Sequence, residues 1–287
     1  AATIKLKIMA VKGKSIKLAA TALVAGLSLL ISGCSGLAES SSAKYVANPE
    51  VIAVIGDFGS ARWAERKVSQ MVGAMNPSFI VTVGDNVYSK KGYQKLVGDY
   101  YSQPMVAAAG NHDYQVGIEN YDNYFKRNQW TRNYVHRAES GVDFFILDST
   151  PGLKSKSVRD SQLNWLTLEL TKSDANFKVV ILHHPPYSSA KHGSTKVYQW
   201  PYAALGADLV ISGHDHSYER IIRNGGIYIV NGTGGAKLYK CKKLVYGSQG
   251  CDGKHYGAMF LYVNSYSMKA VFRGTAGQIL DEFSIDK

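Results

Sequence analysis

The chain has 287 residues, of which 45% are hydrophobic and 19% are charged, a balance that excludes a disordered, collagenous or coiled-coil protein. A formal net charge of +11 raises the question of nucleic-acid or membrane binding. The excess is unevenly distributed, however, because the first 33 residues contain five lysines and no acidic residue.

These first 33 residues have the pattern of a secretory signal. The lysines, the last of which is Lys17, precede an uncharged and mostly apolar run at residues 18–30. That run is shorter than the roughly 20 residues of a transmembrane helix. Because the chain opens on Ala1, Met9 is a candidate start. The alternative interpretation of the run is a buried core helix.

The tetrapeptide at residues 31–34 resembles a bacterial lipobox, which implies cleavage before Cys34 and attachment of lipid to its thiol. We therefore expect a lipoprotein signal peptide at residues 1–33 and a lipidated Cys34 on a flexible tether at residues 34–48. The protein would be exported and anchored to a bacterial membrane on its periplasmic or cell-surface side. Without the leader's five lysines the net charge falls to +6, and no nucleic-acid partner is expected.

The cysteine count fits this interpretation. If Cys34 carries lipid, Cys241 and Cys251 remain, and an oxidising compartment permits a disulfide between them. The alternative is a pair of free thiols in a reducing compartment. Their spacing is not typical of a metal site.

Residues 49–287 have the alternating pattern of a single α/β domain. Apolar residues at helical spacing, Trp63 among them, predict a helix at 61–75, and a second amphipathic helix is predicted at 161–170. Residues 258–285 alternate between apolar and polar and predict antiparallel strands. Short apolar, β-branched runs predict buried strands at residues 51–55, 79–83, 105–109, 142–147, 179–182, 209–211 and 228–230.

Five of these strands end in residues that bind metals. The blocks that follow them read GDFG (56–59), GDNVY (84–88), GNHD (110–113), HHPP (183–186) and SGHDH (212–216). Ligands of open α/β sheets bind at the carboxyl ends of strands. If the strands share a sheet, their ends gather the candidate ligands Asp57, Asp85, Tyr88, Asn111, His183, His214 and His216.

The residue types predict two neighbouring metals. A carboxylate has two oxygens, and the central position of Asp85 makes it the natural bridge between two cations. His214 and His216 are two residues apart and would point the same way in an extended segment, each toward a different metal. The adjacent His183 and His184 would point to opposite sides, so that only one of them is a ligand.

The ordered blocks GDFG, GDNVY, GNHD, ILHH and GHDH resemble those of the calcineurin-like metallophosphoesterases. Tyr88, three residues after Asp85, resembles the tyrosine of the purple acid phosphatases, the family of tartrate-resistant acid phosphatase, and a phenolate favours Fe(III). The resemblance implies a four-layer α/β/β/α sandwich. Its two mixed sheets would hold the metal site at the strand carboxyl ends, on the rim between the sheets.

The resemblance also implies a role for each candidate residue. His112 and His192 match histidines that position the phosphate and protonate the leaving group. A bridging hydroxide bound to the metals would attack phosphate monoesters, either small molecules or phosphoproteins. The Fe(III) site would comprise Asp57, Asp85, Tyr88 and His216, and the site of a second, divalent metal (Fe, Zn or Mn) would comprise Asp85, Asn111, His183 and His214.

Two other functions stay open. One is a divalent-metal phosphodiesterase or nucleotide hydrolase of the same superfamily, and the other is a non-catalytic lipoprotein that binds a partner. The segment at residues 89–103 looks shorter than in the mammalian-type branch. Since loops there can shape the substrate cleft, the preferred substrate also stays open.

Overall fold

The computed structural model describes residues 48–287. The predicted leader, Cys34 and nearly all of the tether lie outside the described residues, so what the sequence indicates for them stays a prediction. None of the helices within residues 48–287 combines the length and the apolar character needed to cross a bilayer.

The described residues form two sheets flanked by helices. The helices are α1 (Trp63–Met75), α2 (Asn111–Val116), α3 (Ile118–Phe125), α4 (Ser149–Gly152) and α5 (Lys156–Lys172), with a π-helical turn at Gln94–Gly98 and a 3-10 turn at Lys196–Tyr198. The strands are β1 (Glu50–Ile55), β2 (Phe79–Thr82), β3 (Met105–Ala107), β4 (Tyr134–Arg137), β5 (Val142–Leu147), β6 (Phe177–Leu182), β7 (Leu209–Ser212), β8 (Tyr218–Arg223), β9 (Gly226–Asn231), β10 (Ser248–Asp252), β11 (Gly257–Val263), β12 (Ser267–Gly274) and β13 (Ile279–Asp286).

Both sheets are mixed, and each contains a run of parallel strands. The first has the order β13-β12-β11-β1-β2-β3, in which β1, β2 and β3 are parallel. The second has the order β10-β8-β9-β7-β6-β5-β4, in which β5, β6, β7 and β9 are parallel. The ligand-bearing strands are therefore divided between two sheets, and the premise that they share one sheet is wrong. The two-sheet sandwich that the resemblance implies is confirmed.

Three apolar clusters explain the layering. Residues from both sheets, such as Val54 and Ile181, form the central cluster, in which the two sheets pack face to face. On the outer face of the first sheet, Val68 and Val72 of α1 belong to a second cluster. On the outer face of the other sheet, α5 contributes Leu166 to a third. The central strands of each sheet are thus buried on both faces, which is why they are continuous apolar runs.

The helices differ from the prediction at their boundaries and faces. Helix α1 begins at Trp63 because Ala61 lies in the left-handed region (φ 55°), and the Trp63 side chain is 65% exposed and does not join the core. Helix α5 is longer than predicted, since the Ser155 hydroxyl caps its start by accepting from the N–H of Val158. The polar Gln162 is buried on its inner face, where its amide donates to a backbone carbonyl.

A buried carboxyl group holds the loop between β1 and α1. Glu65 is fully buried, and its Oε2 accepts from the N–H groups of Ser60 (3.0 Å) and Ala61 (2.5 Å). Burial raises the pKa of Glu65 from 4.5 to about 8, although these backbone donors act in the opposite direction. The folded state therefore holds a proton that the unfolded chain releases at lower pH.

Between about pH 5 and pH 8 we expect the free energy of unfolding of the wild type to fall as the pH rises. In Glu65→Gln this fall should be smaller by about 2–4 kcal/mol. The stabilisation by the protonated carboxyl is complete below the unfolded pKa of 4.5 and is lost as the pH rises through the folded pKa of about 8. Urea denaturation at several pH values measures the slope. Glu139→Gln, at an exposed side chain, is the control, and a wild-type slope in Glu65→Gln would contradict the assignment.

Candidate metal centre

The carboxyl ends of the central strands of both sheets meet at one rim. From the second sheet, the Nδ1 of His183 lies 2.9 Å from the carbonyl oxygen of Val83, which follows β2 in the first sheet. The N–H of His214, after β7, donates to Oδ2 of Asp57, after β1, over 3.0 Å. Residues that are 100 or more positions apart in the chain are thereby brought together.

A first donor group surrounds the hydroxyl of Tyr88. That oxygen lies 3.2 Å from Oδ1 of Asp57, 3.2 Å from Oδ2 of Asp85 and 3.1 Å from Nε2 of His216. The carboxylate and imidazole ligand atoms of Asp57, Asp85 and His216 all lie within 4.8 Å of one another, and these three side chains are buried. The four residues predicted to form the Fe(III) site are therefore adjacent.

A second donor group lies on the other side of Asp85. The Nε2 of His183 is 3.3 Å from Oδ1 of Asp85 and 3.1 Å from Oδ1 of Asn111. The ring centroid of His214 is 5.1 Å from that of His183. The residues predicted to bind the divalent metal thus also come together, and the Asp85 carboxylate faces both groups.

His184 departs from the expectation that it points away from His183. Strand β6 ends at Leu182, so the alternation of a strand does not extend to the histidines. The ring centroids of His184 and His183 are 4.9 Å apart, and His184 offers a ring nitrogen within 4.8 Å of ligand atoms of His183 and His214. The Nδ1 of His184 lies 2.8 Å from the hydroxyl of Ser149, which fixes the ring beside the second donor group.

The segment of His214 and His216 is also not extended. His214 lies in the left-handed region at φ 67°, so the premise of the alternation argument is wrong. The two side chains nevertheless separate as predicted, with His216 in the first donor group and His214 in the second.

Three of the candidate ligands have a strained backbone conformation. Asp57 (φ 56°) and Asp85 (φ 51°) share the left-handed region with His214, a conformation that side-chain-bearing residues adopt at a cost. Gly110 precedes Asn111, and a Cβ there would collide with the backbone nitrogen and Oδ1 of Asp85. The glycine lets the third strand end approach the central carboxylate closely.

The donor set fits metal cations. The single hydroxyl hydrogen of Tyr88 can serve only one of the acceptors around it, and the carboxylates of Asp57 and Asp85 bring two negative charges to the same buried position, which a cation would neutralise. Burial, followed by the charges of Asp57 and Asp85, raises the pKa of Tyr88 well above its ordinary value, so a cation is required to obtain the phenolate. Burial and the neighbouring His183 hold the pKa of His214 far below its ordinary value, which leaves a neutral ring that can coordinate a metal.

The two histidines expected beside the metals lie against one donor group each. The ring of His112 is 4.3 Å from that of Tyr88, and the ring of His192 is 4.3 Å from that of His214, centroid to centroid. The N–H of His192 donates to Oδ1 of Asp215 over 2.7 Å. Asp215 lies inside the GHDH block, but sequence analysis gave it no role.

Asp113 was likewise missed, although it ends the GNHD block. It is fully buried, and its carboxylate accepts from the N–H of Gly110 (2.7 Å), the amide of Asn86 (2.9 Å) and the hydroxyl of Tyr93 (2.7 Å). These bonds join the loops after β2 and β3. Asp113 therefore holds the loops after β2 and β3 together, and it is not a member of either donor group.

A third missed feature is the segment that covers His216. The Nδ1 of His216 lies 2.8 Å from the carbonyl oxygen of Lys237, and the Tyr239 ring stacks on the imidazole with centroids 4.1 Å apart and planes inclined by 11°. Two residues later the predicted Cys241–Cys251 disulfide is confirmed, with Cα atoms 6.1 Å apart. No local motif marks Tyr239, and only the nearby cysteine indicates a constrained segment.

Residues 51–218, more than half of the chain, match the calcineurin-like phosphoesterase family, and this match contains all five ligand blocks. The chain belongs to the calcineurin-like phosphoesterase family.

Its similar proteins include purple acid phosphatases. It is 26% identical to purple acid phosphatase 7 of Arabidopsis thaliana, over 82% of this chain and 85% of the relative. It is also 26% identical to tartrate-resistant acid phosphatase type 5 of Rattus norvegicus, over 59% of this chain and 64% of the relative.

Two solved structures share the fold. The purple acid phosphatase PPD1 from yellow lupin (Lupinus luteus) seeds aligns with a TM-score of 0.65 at 18% identity, over 83% of this chain and 53% of that one. GAP50, described as the anchor in the inner membrane complex of Plasmodium, aligns with a TM-score of 0.70 at 19% identity, over 83% of this chain and 89% of that one.

We expect Tyr239→Ala to lower the affinity of the first donor group for its metal about tenfold, because the imidazole of His216 loses the ring that fixes its orientation. Tyr239→Phe keeps the ring and should retain wild-type affinity. Metal content after dialysis against graded chelator concentrations measures the difference. Equal metal retention in the alanine and phenylalanine variants would show that stacking does not support the site.

Proposed function

We propose that this chain is a phosphatase that hydrolyses phosphate monoesters at a dinuclear metal centre formed by the two donor groups. The observation that carries the proposal is the position of Asp85, which directs one carboxylate oxygen toward Tyr88 and the other toward His183. Membership of the phosphoesterase family supports hydrolysis of a phosphate ester. The relatives named purple acid phosphatase and tartrate-resistant acid phosphatase support the monoesterase assignment.

We assign the first donor group to Fe(III) and the second to a divalent metal, namely Fe, Zn or Mn. Two carboxylates and a phenol around one position form a hard, anionic donor set that suits a trivalent ion. Imidazole nitrogens and an amide oxygen are ordinary ligands of divalent first-row metals. When bound, the two cations would neutralise the phosphate and supply an activated water.

The remaining roles fall to groups of the chain itself. His112 and His192, one beside each donor group, are suited to hydrogen-bond the phosphate oxygens, and one of them would protonate the leaving alkoxide. Asp215 holds the backbone of His192 and of Gly193, so the loop that carries this histidine has a fixed position. Tyr239 and the Lys237 carbonyl orient His216.

Two alternatives differ in what they predict. A phosphodiesterase with two divalent metals would use the same ligands but would not need the phenol of Tyr88. A non-catalytic binding protein is compatible with the fold, since GAP50 is described as an anchor. The complete and converging donor set favours catalysis over that second alternative.

We expect the purified protein to hydrolyse p-nitrophenyl phosphate faster than bis(p-nitrophenyl) phosphate across the pH range, and Asp85→Ala to lose at least about 10³-fold in kcat/KM, since it removes a ligand shared by both metals. Asp160→Ala, at an exposed carboxylate of α5, is the control. Faster diester hydrolysis would favour the phosphodiesterase. Full activity in Asp85→Ala, or no activity in the metal-loaded wild type, would contradict a catalytic centre.

Tyr88→Phe tests the assignment of iron. The wild type should contain iron and show a visible phenolate-to-iron charge-transfer band, and Tyr88→Phe should lose that band because the phenol oxygen is absent. Metal analysis and absorption spectra measure both quantities. Tyr246→Phe, at a side chain that is 82% exposed, is the matched control. A colourless wild type whose metal content is unchanged by Tyr88→Phe would overturn the Fe(III) assignment.

A further inference from the structure

A basic cavity is lined by α1 and by the segment that follows β2. Its volume is about 640 Å³, and its wall includes Ala61, from the loop after β1, and Lys91, from the loop after β2. These are the two loops that carry Asp57 and Tyr88. A volume of this size falls in the range of small-molecule sites.

The charges that line the cavity lack internal partners. Arg66, Lys91 and Lys95 contribute three cations, whereas Asp99 is the single acidic residue of the lining. Within residues 48–287 none of these three cations takes part in an ion pair, and all three side chains are exposed. The Asp99 carboxylate instead accepts from the amide of Gln94 over 3.1 Å. The excess positive charge therefore favours an anionic ligand.

Arg66 is suited to bind phosphate. Its guanidinium carbon lies 6.0 Å from the centroid of the Tyr100 ring, a contact that restrains the side chain without using its N–H groups. A guanidinium with free N–H groups can bind two oxygens of a phosphate at once. The hydroxyl of Ser69 and the amide of Gln70 line the same cavity and add neutral hydrogen-bonding groups.

The cavity lies within reach of the metal centre. Ala61 is four residues after Asp57, and Lys91 is three residues after Tyr88, so the Cα separations are at most about 14 Å and about 11 Å. The two loops are joined, since the N–H of Tyr88 donates to the carbonyl oxygen of Gly59 over 2.8 Å. The two loops that carry Asp57 and Tyr88 therefore also form part of the cavity wall.

We propose that this cavity binds a second phosphate group of the substrate, so that the preferred substrates are small molecules with two phosphates. The inference rests on the proposed function for the cleavage of the first phosphate, while the anion site itself depends only on Arg66, Lys91 and Lys95. One phosphate lies at the donor groups, and the other is held by the three cations.

Fructose 1,6-bisphosphate and fructose 6-phosphate form a matched pair of substrates for the test. In Lys91→Gln/Lys95→Gln, the ratio of kcat/KM for the bisphosphate to that for the monophosphate should fall about tenfold relative to wild type, because two charge-assisted contacts are lost. The control variant Lys154→Gln/Lys172→Gln removes the same amount of charge near α5, which packs on the second sheet. It should keep the wild-type ratio. Arg66→Gln should lower the ratio in the same direction.

The outcomes separate the two proposals. If the wild type hydrolyses both sugars and Lys91→Gln/Lys95→Gln keeps the wild-type ratio, the cavity proposal is overturned and the proposed function stands. If the wild type hydrolyses no phosphate ester, the proposed function fails, and NMR titration with fructose 1,6-bisphosphate then tests the cavity. Shifts of the Ala61, Lys91 and Lys95 amides that disappear in the Arg66→Gln variant would support it, and their absence in the wild type would overturn it.

Discussion

The Asp85 carboxylate is the point at which the two sheets and the two donor groups meet. Its Oδ1 accepts from the N–H of His112 over 2.7 Å and lies beside His183 of the second sheet, whereas its Oδ2 contacts Tyr88. A carboxylate with such neighbours requires fixed positions for β2, β3 and β6. The left-handed backbone of Asp85 and the glycine before Asn111 are the local adjustments that permit this crowding.

Much of the candidate site could be predicted because its signal is local. Each block follows a buried strand, and the apolar, β-branched runs that predict β1 and β6 are fully buried toward their carboxyl ends. Polar residues that directly follow such a run lie where the strand leaves the buried core, at its carboxyl end. The order of the blocks along the chain marked Asp85 as the central ligand, whereas a rim between two sheets was implied only by the family resemblance.

The features that were missed depend on which elements are neighbours. An apolar run does not specify its partner strands, so the division into two sheets is invisible from residues alone. Trp63 satisfies the helical period yet points to solvent, because the loop before it bends at Ala61. The stacking of Tyr239 on His216 joins residues 23 positions apart with no intervening motif, and such a contact is specified only by the folded chain.

The division of the donors between two sheets links metal occupancy to the integrity of the sandwich. Asp57 and Asp85 extend from the first sheet, and His183 and His216 extend from the second. A cation that binds both sides acts as a cross-link between the layers, and unfolding would destroy its coordination. By mass action, tighter binding or a higher free metal concentration then raises the free energy of unfolding. The rim that carries the donor groups is thus also the place where a bound metal would connect the two sheets.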